Sequence, residues 1–175
     1  MAFATITVTP TISTDAYALG DVLFLNTVVP LPARSCRLID GYVVDFEGTK
    51  LTSEEITFYF FQKNAAEIGA INSTANISDA NFKLNRFIGA CKLENASELE
   101  SLTAVAIHQM VHYGQASDTS GVRPLNMALV SSGAEAPYDG NGAFPVFMSA
   151  SIGALSTAPN FANDDSLDIV LHVEY

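Results

Sequence analysis

Residues Ile12 to Leu23 read ISTDAYALGDVL, and the chain continues without a break as VLFLNTVV from Val22 to Val29. The first part is polar and ends in Gly20-Asp21, a turn pair. The second is a short apolar run, rich in β-branched residues, closed off by Pro30-Leu31-Pro32. That length, composition and punctuation describe a strand, not a helix. Proline cannot donate to a central ladder, so the strand is expected to end near Val29.

The same unit of turn followed by strand recurs along the chain. Candidate strands are Phe3 to Thr9, Asp21 to Val29, Arg37 to Phe46, Glu55 to Gln62, Arg86 to Leu93, Thr103 to Tyr113, Leu125 to Ser131, Pro145 to Ile152 and Ser166 to Tyr175. Apolar residues alternate within them or form solid runs, as in an antiparallel β-sandwich or barrel. Turns are expected at Phe46-Glu47-Gly48-Thr49 and at Tyr138-Asp139-Gly140-Asn141-Gly142. One short helix is expected in ISDANFKLNR, with Ser78 as N-cap and Phe82, with Leu84 or Phe87, turned inward. Gly114 to Pro124 reads as loop, and no repeat or linker divides the chain.

At 175 residues the chain fits one domain, 1–175, able to bury a core without staples. Charged residues make up only 15%, against the roughly 25% usual in globular chains. Either association covers part of the surface, or Ser, Thr and Asn stand in for charge. Eight Lys and Arg face nineteen Asp and Glu, a net charge of -11. The cations are scattered, so neither nucleic acid nor an anionic membrane is an expected partner. MAFATITVTP lacks the features of a secretory signal, and synthesis in a cytoplasm without export is expected. No apolar run approaches the roughly 20 residues of a membrane helix. Cys36 and Cys91 sit in apolar contexts as buried thiols, with one disulfide as the alternative.

Residue types that carry chemistry are present without the spacing that chemistry needs. His108 and His112 match HxxxH, a zinc pattern on a helix. On one continuous strand they would stand about 13 Å apart, too far to share an ion. His172 alternates into the last strand as a structural residue. Glu54-Glu55 and Asp164-Asp165 are sequence neighbours at turns, not carboxylates facing each other across a cleft. Asp139 to Gly142 could offer oxygens to calcium but lacks the EF-hand spacing, and a turn is the expected reading. SSGAEAP is not a nucleophile elbow, and no phosphate-binding glycine loop occurs. Sequons at Asn72, Asn76 and Asn95 carry little without a secretion signal. No catalytic residue, cofactor or metal is therefore expected. Phe58-Tyr59-Phe60-Phe61 would place bulky rings on both faces of a strand. Both faces then need cover, from this chain or from a neighbour.

Several of these segments, taken in order, resemble a family of small virion proteins of tailed bacteriophages. The opening D-x-x-x-Y-x-x-G-D-V run is matched by Asp15, Tyr17, Gly20, Asp21 and Val22. GYVVDFEGTKLTSEEITFYFF follows, with Asp45 and Phe60-Phe61. Ile77-Ser78-Asp79-Ala80-Asn81-Phe82-Lys83 then leads into FIGACKL, and SLDIVLHVEY closes the chain. Gly114 to Gly142 has no counterpart. The resemblance implies a jelly-roll-like sandwich on the outer capsid surface, a decoration or cement protein bridging major capsid protein subunits. It further implies a homo-oligomer, with a trimer at local threefold sites the favoured form. Met1 to Pro10 is suited either to an arm along a neighbour's sheet edge or to an intramolecular first strand. Phe3, Ile6, Val8, Tyr17 and Phe144 are the candidate interface residues. The alternative function is a host-surface or glycan-binding domain of a head fibre or tail.

Overall fold

The computed structural model describes residues 1–48, 50–51, 55–76, 78–93, 98–102, 104–112, 125–132, 143–154 and 159–175, the side chains of 98–102, 112 and 154 excepted. The expected turn at 139–142, the loop at 114–124, the SSGAEAP stretch from 133 on, Glu54 and Asn95 lie outside the described residues. The strands are β1 Phe3–Val8, β2 Val22–Leu31, β3 Ser35–Asp45, β4 Glu55–Phe61, β5 Phe87–Leu93, β6 Glu98–Leu102, β7 Val105–Gln109, β8 Val111–His112, β9 Met127–Val130, β10 Phe144–Ala154 and β11 Leu167–Glu174. A single helix, α1, covers Asp79–Asn85.

The strands form two packed antiparallel sheets, an all-β sandwich. The first runs β1-β11-β3-β7-β6, with β9 also paired to β3, and the second runs β2-β10-β4-β5-β8. β11 shows why the chain folds this way: buried Leu167, Ile169, Leu171 and Val173 alternate with half-buried Asp168, Val170, His172 and Glu174. Period two sends one set inward and leaves the other on the outer face. The core between the sheets joins Leu38, Val43 and Leu171 of the first to Phe24, Phe58 and Met148 of the second.

The aromatic run on β4 divides as alternation requires. Phe58 and Phe60 enter the core between the sheets, while Phe61 belongs to a second cluster with Val22, Ile68 and Phe147. The excursion from Gln62 to Arg86 covers that second cluster, so the cover comes from the chain itself. Phe82 of α1 meets Tyr59 and Phe61 edge-on, with ring centroids 5.9 and 5.5 Å away. Ser78 caps α1 by accepting from the Asn81 amide at 3.3 Å. Of the two alternatives for the inward partner, Leu84 is exposed, whereas the partly exposed Phe87 ring joins Phe82 and Phe61 at 4.9 and 5.9 Å; Asn85 is the helix residue that is fully buried. Asn85 Oδ1 accepts from the amides of Ala65 and Ala66 at 2.8 and 2.9 Å, and its Nδ2 donates to the Ala66 carbonyl. It fastens the excursion to the helix.

Three expectations need correction. Thr103 to Tyr113 is not one strand: the chain leaves the first sheet after β7 and enters the second as β8, turning at Met110. The Met110 amide donates to the Gly41 carbonyl at 2.8 Å, and a Cβ on Gly41 would stand 2.8 Å from Met110 Sδ. Glycine at 41 makes room for this crossing. His108 is consequently buried in the first sheet, while His112 lies in the second. The second strand runs through Pro30 to Leu31, because β2 is an edge strand and tolerates proline. Finally, β6 was not expected, since ELESL carries no apolar alternation and an edge strand needs none.

The two cysteines are free thiols, each buried in a different sheet. Burial pushes both above the ordinary thiol value.

Replacing Asn85 with Leu keeps the volume but strands two amides and a carbonyl. A loss of about 2–4 kcal/mol is expected from urea unfolding, by the cost of unsatisfied buried polar groups.

Candidate functional site

Tyr17, Gly20, Asp21 and Asp45, singled out in the sequence, are all engaged in backbone hydrogen bonds. Tyr17 is buried, and its hydroxyl accepts from the Ser13 amide at 2.6 Å while donating to the Leu23 carbonyl at 3.0 Å. A tyrosine reaching back four residues in this way resembles the tyrosine corner of Greek-key sandwiches. Burial, against the Ser13 bond and helped by the charge of Asp21, raises the Tyr17 hydroxyl to about 12. Gly20 takes φ +86°, open to glycine at little cost. Its amide donates to the Ile152 carbonyl at 3.0 Å, and the Ile152 amide returns to the Asp21 carbonyl at 2.9 Å. Asp21 Oδ2 accepts from the Ala18 amide at 2.7 Å, closing the turn. Asp15 stays exposed.

Asp45 is fully buried, yet each oxygen has partners. Oδ1 accepts from the Glu47 amide at 2.8 Å, and Oδ2 from the amides of Lys50 and Leu51 at 2.9 and 3.3 Å. The turn after β3 is wrapped around this carboxylate. Glu47 does the same for the approach to β11: Oε1 accepts from the Ala162 amide and the Ser166 hydroxyl, both at 2.6 Å, and Lys50 lies 3.7 Å from Oε2. Burial opposes ionisation of Glu47. The Ser166 hydroxyl, the amides of Ala162 and Asn163 and the Lys50 charge together outweigh it and hold the carboxyl below its usual value.

With those residues committed to turns, the sandwich differs between its two outer faces. The second sheet is covered by the excursion just described. The main contacts of the first sheet outside its own strands are with β2 beside β1 and with β5 beside β9, and no described helix is among them. Its outer face is laid out in rows by the strand register. Phe3, Glu174, Arg37 and Ala128 form one row; Thr5, His172 and Asp40 the next; Thr7, Val170, Tyr42 and Gln109 a third. At its centre Asp40 accepts from the Tyr42 hydroxyl and, at 3.2 Å, from Gln109 Nε2. The His172 ring meets Tyr42 edge-on at 5.6 Å. Hydrogen bonding to Asp40, then burial and the charge of Asp40, raises the Tyr42 hydroxyl to about 12. Beside this cluster lies a shallow hollow lined by Met1, Cys36, Arg37, Asn126, Glu174 and Tyr175. Its charges are already engaged: Arg37 donates to Asn126 Oδ1 at 2.6 Å and pairs with Glu174 at 3.4 Å.

The candidate interface residues separate on this geometry. Phe3 is 66% exposed on the outer face of the first sheet. Ile6, Val8 and Tyr17 are corrected: all are buried in the core of their own chain and present nothing to a partner. Phe144 is half-buried against that core. Alternation within FATITV explains the error, since Ile6 and Val8 face inward and the outward set is Phe3, Thr5 and Thr7. Asp40, Tyr42, Gln109 and His172 were missed because strand register, not sequence, brings them together. Among the described residues, no three His, Cys, Asp or Glu side chains converge as metal ligands do.

The described residues define an all-β sandwich of two packed antiparallel sheets. No protein-family model and no curated protein matches the chain.

Two measurements check the turn anchors. Tyr17→Phe removes one acceptor and one donor from buried amide and carbonyl partners, and about 1–3 kcal/mol of unfolding free energy is expected to go with them. For Glu47, a depressed folded-state value means stability present above the ordinary glutamate value of about 4.3 and lost as pH falls through the folded value. Glu47→Gln is expected to lower the urea midpoint at neutral pH and to converge with the parent protein in acid.

Proposed function

We propose that this chain is a structural protein of a tailed-phage virion, which decorates the outer capsid surface and bridges major capsid protein subunits. The observation that carries the reading is the division of labour in the sandwich. Tyr17, Asp21 and Asp45 of the resemblance anchor turns, the Gln62 to Arg86 excursion covers the aromatic cluster on one outer face, and among the described residues no helix lies over the other. A protein of this kind adds interface area where a shell under internal DNA pressure would otherwise part. Contacts to several capsid subunits at once reinforce one another through effective concentration, so each need only be modest in itself. The net charge of -11 suits a position outside the shell, away from packaged DNA. Copies grouped about local threefold positions would place these outer faces against neighbouring subunits.

The polar and aromatic cluster of Asp40, Tyr42, Gln109 and His172 favours a second reading, a host-surface or glycan-binding domain on a head fibre or tail. The distribution of copies separates the two. Cryo-electron microscopy of intact particles is expected to show density for this chain over the whole head, and particles stripped of it should release DNA at a lower temperature until the purified chain is added back. Absence from purified particles, or stripped heads as heat-resistant as intact ones, overturns the proposal. A few copies confined to a vertex or tail would favour adhesion.

A further inference from the structure

We infer that the free edge of β1 is a self-association site, which pairs antiparallel with β1 of a second copy of this chain across a two-fold axis. The parity of the backbone establishes which groups are available. Ala2 and Tyr175 exchange two hydrogen bonds, each 3.0 Å long. In an antiparallel ladder, alternate residues face the partner strand, so Ala4, Ile6 and Val8 turn their amides and carbonyls to β11. Phe3, Thr5 and Thr7 therefore turn theirs outward, at the end of the sheet where no described strand follows. The side chains of these same three residues are exposed.

Natural sheets blunt such an edge with charge, proline, a bulge or a covering segment. FATITV has no charge, proline or bulge, and no segment among the described residues pairs with its outer edge. Its pairing with β11 is unbroken from Phe3 to Val8, and the first proline is Pro10. The neighbouring edge of the second sheet is treated differently. Along β2, the Val22 amide and carbonyl are engaged by Ser73 and Asn72, each at 2.9 Å, and the Asn26 amide by Glu67 at 2.8 Å. Pro30 lies further along. The chain protects one edge with its own residues, while no described residue pairs with the adjacent one.

A second copy fits this edge for reasons of symmetry and charge. An antiparallel pair centred on Thr5 sets Thr5 against Thr5 of the other copy, and Phe3 against Thr7 in both directions. These are the outward-facing residues, so every pair can exchange two hydrogen bonds. Thr-Thr and aromatic-Thr neighbours are favourable cross-strand contacts. Two chains of net charge -11 repel at a distance, but the meeting strands contain no charge. The flanking carboxylates are engaged, Glu174 with Arg37 and Asp168 with the Thr9 hydroxyl. The two first sheets would then form one continuous sheet. Such a contact stands apart from the capsid reading and is compatible with it, because adjacent local threefold positions of an icosahedral shell are related by two-folds.

Sedimentation equilibrium and residue-resolved amide exchange on the isolated full chain test the inference. The parent protein should reach twice its 18.6 kDa mass as concentration rises, with amides of Phe3, Thr5 and Thr7 becoming protected in step. Thr5→Lys sets two ammonium groups opposite each other and should abolish the dimer while the amides of Ala4 and Ile6 stay protected. Ala128→Lys, on the same face but away from the edge, should leave the dimer intact. A parent protein monomeric at every concentration overturns the inference. So does a dimer that survives Thr5→Lys with freely exchanging amides at Phe3, Thr5 and Thr7. If Thr5→Lys does not fold, the concentration dependence of exchange in the parent protein decides alone: unprotected outward amides in a dimer reject the edge.

Discussion

A strand that carries large rings on both faces cannot belong to a simple two-layer sandwich. β4 is such a strand, with Phe58 and Phe60 on one side and Tyr59 and Phe61 on the other. The inner pair is covered by the opposite sheet. Burying the outer pair requires a third layer, and the chain makes one by inserting the Gln62 to Arg86 excursion between β4 and its hairpin partner β5. Burial of a phenylalanine side chain is worth about 1.5–3 kcal/mol, enough to favour ordering the cover when several rings contribute. Phe82 and Ile68 supply the rest of that apolar contact. One strand's aromatic content thus determines which sheet is closed. The outer face of the first sheet, over which no described helix lies, is the remainder.

Holding irregular segments against a sandwich raises a second problem, the backbone. Amides in turns and excursions have no ladder partners, and a buried one left unpaired is costly. Here buried side chains with polar ends meet that need from inside: Asn85 for residues 65 and 66, Asp45 for 47, 50 and 51, Tyr17 for 13 and 23. Each takes more than one backbone group, so the number of polar side chains buried stays small. The Asn26 side chain adds one such backbone bond, to the Ala66 carbonyl at 2.9 Å, beside a side-chain bond to Asn64 Oδ1 at 3.1 Å. These anchors explain why an Asn- and Asp-containing chain of low charge can be largely apolar within. Chemical conspicuousness in the sequence, at Asp21 or Asp45, corresponds to structural duty.

Much of the fold was legible because β-period alternation is local. Most strands expected from the sequence are present with ends shifted by a residue or two, and Ser78 caps the helix as its spacing indicates. What could not be read is what depends on partners distant in sequence. The break at Met110 arises because Gly41, on another strand, offers the space for a crossing. Without that knowledge TAVAIHQMVHY is one uniform alternation. β6 lacked any signal because an edge strand is defined by pairing. At the candidate site the limit was parity. Phe3, Ile6 and Val8 are all apolar, so composition grouped them, whereas the register with β11 divides Phe3 from the other two. The cluster of Asp40, Tyr42, Gln109 and His172 spans three strands and has no linear signature at all.

The edge of β1 and the acidity of the chain belong to one argument about selectivity. Electrostatic repulsion between exposed charges acts over about 8 Å at physiological ionic strength. Two acidic molecules approaching at random meet carboxylates on most faces and separate. Only an approach that leads with an uncharged segment avoids that repulsion at contact distance, where backbone hydrogen bonds form. An open strand edge would ordinarily invite indiscriminate pairing. Surrounded by a body of net charge -11, it is limited to orientations in which neutral strand meets neutral strand. Acidity then works as a filter on geometry. The same filter acts on any other partner: a surface that docks here must offer an extended, uncharged edge or basic groups that meet the surrounding carboxylates.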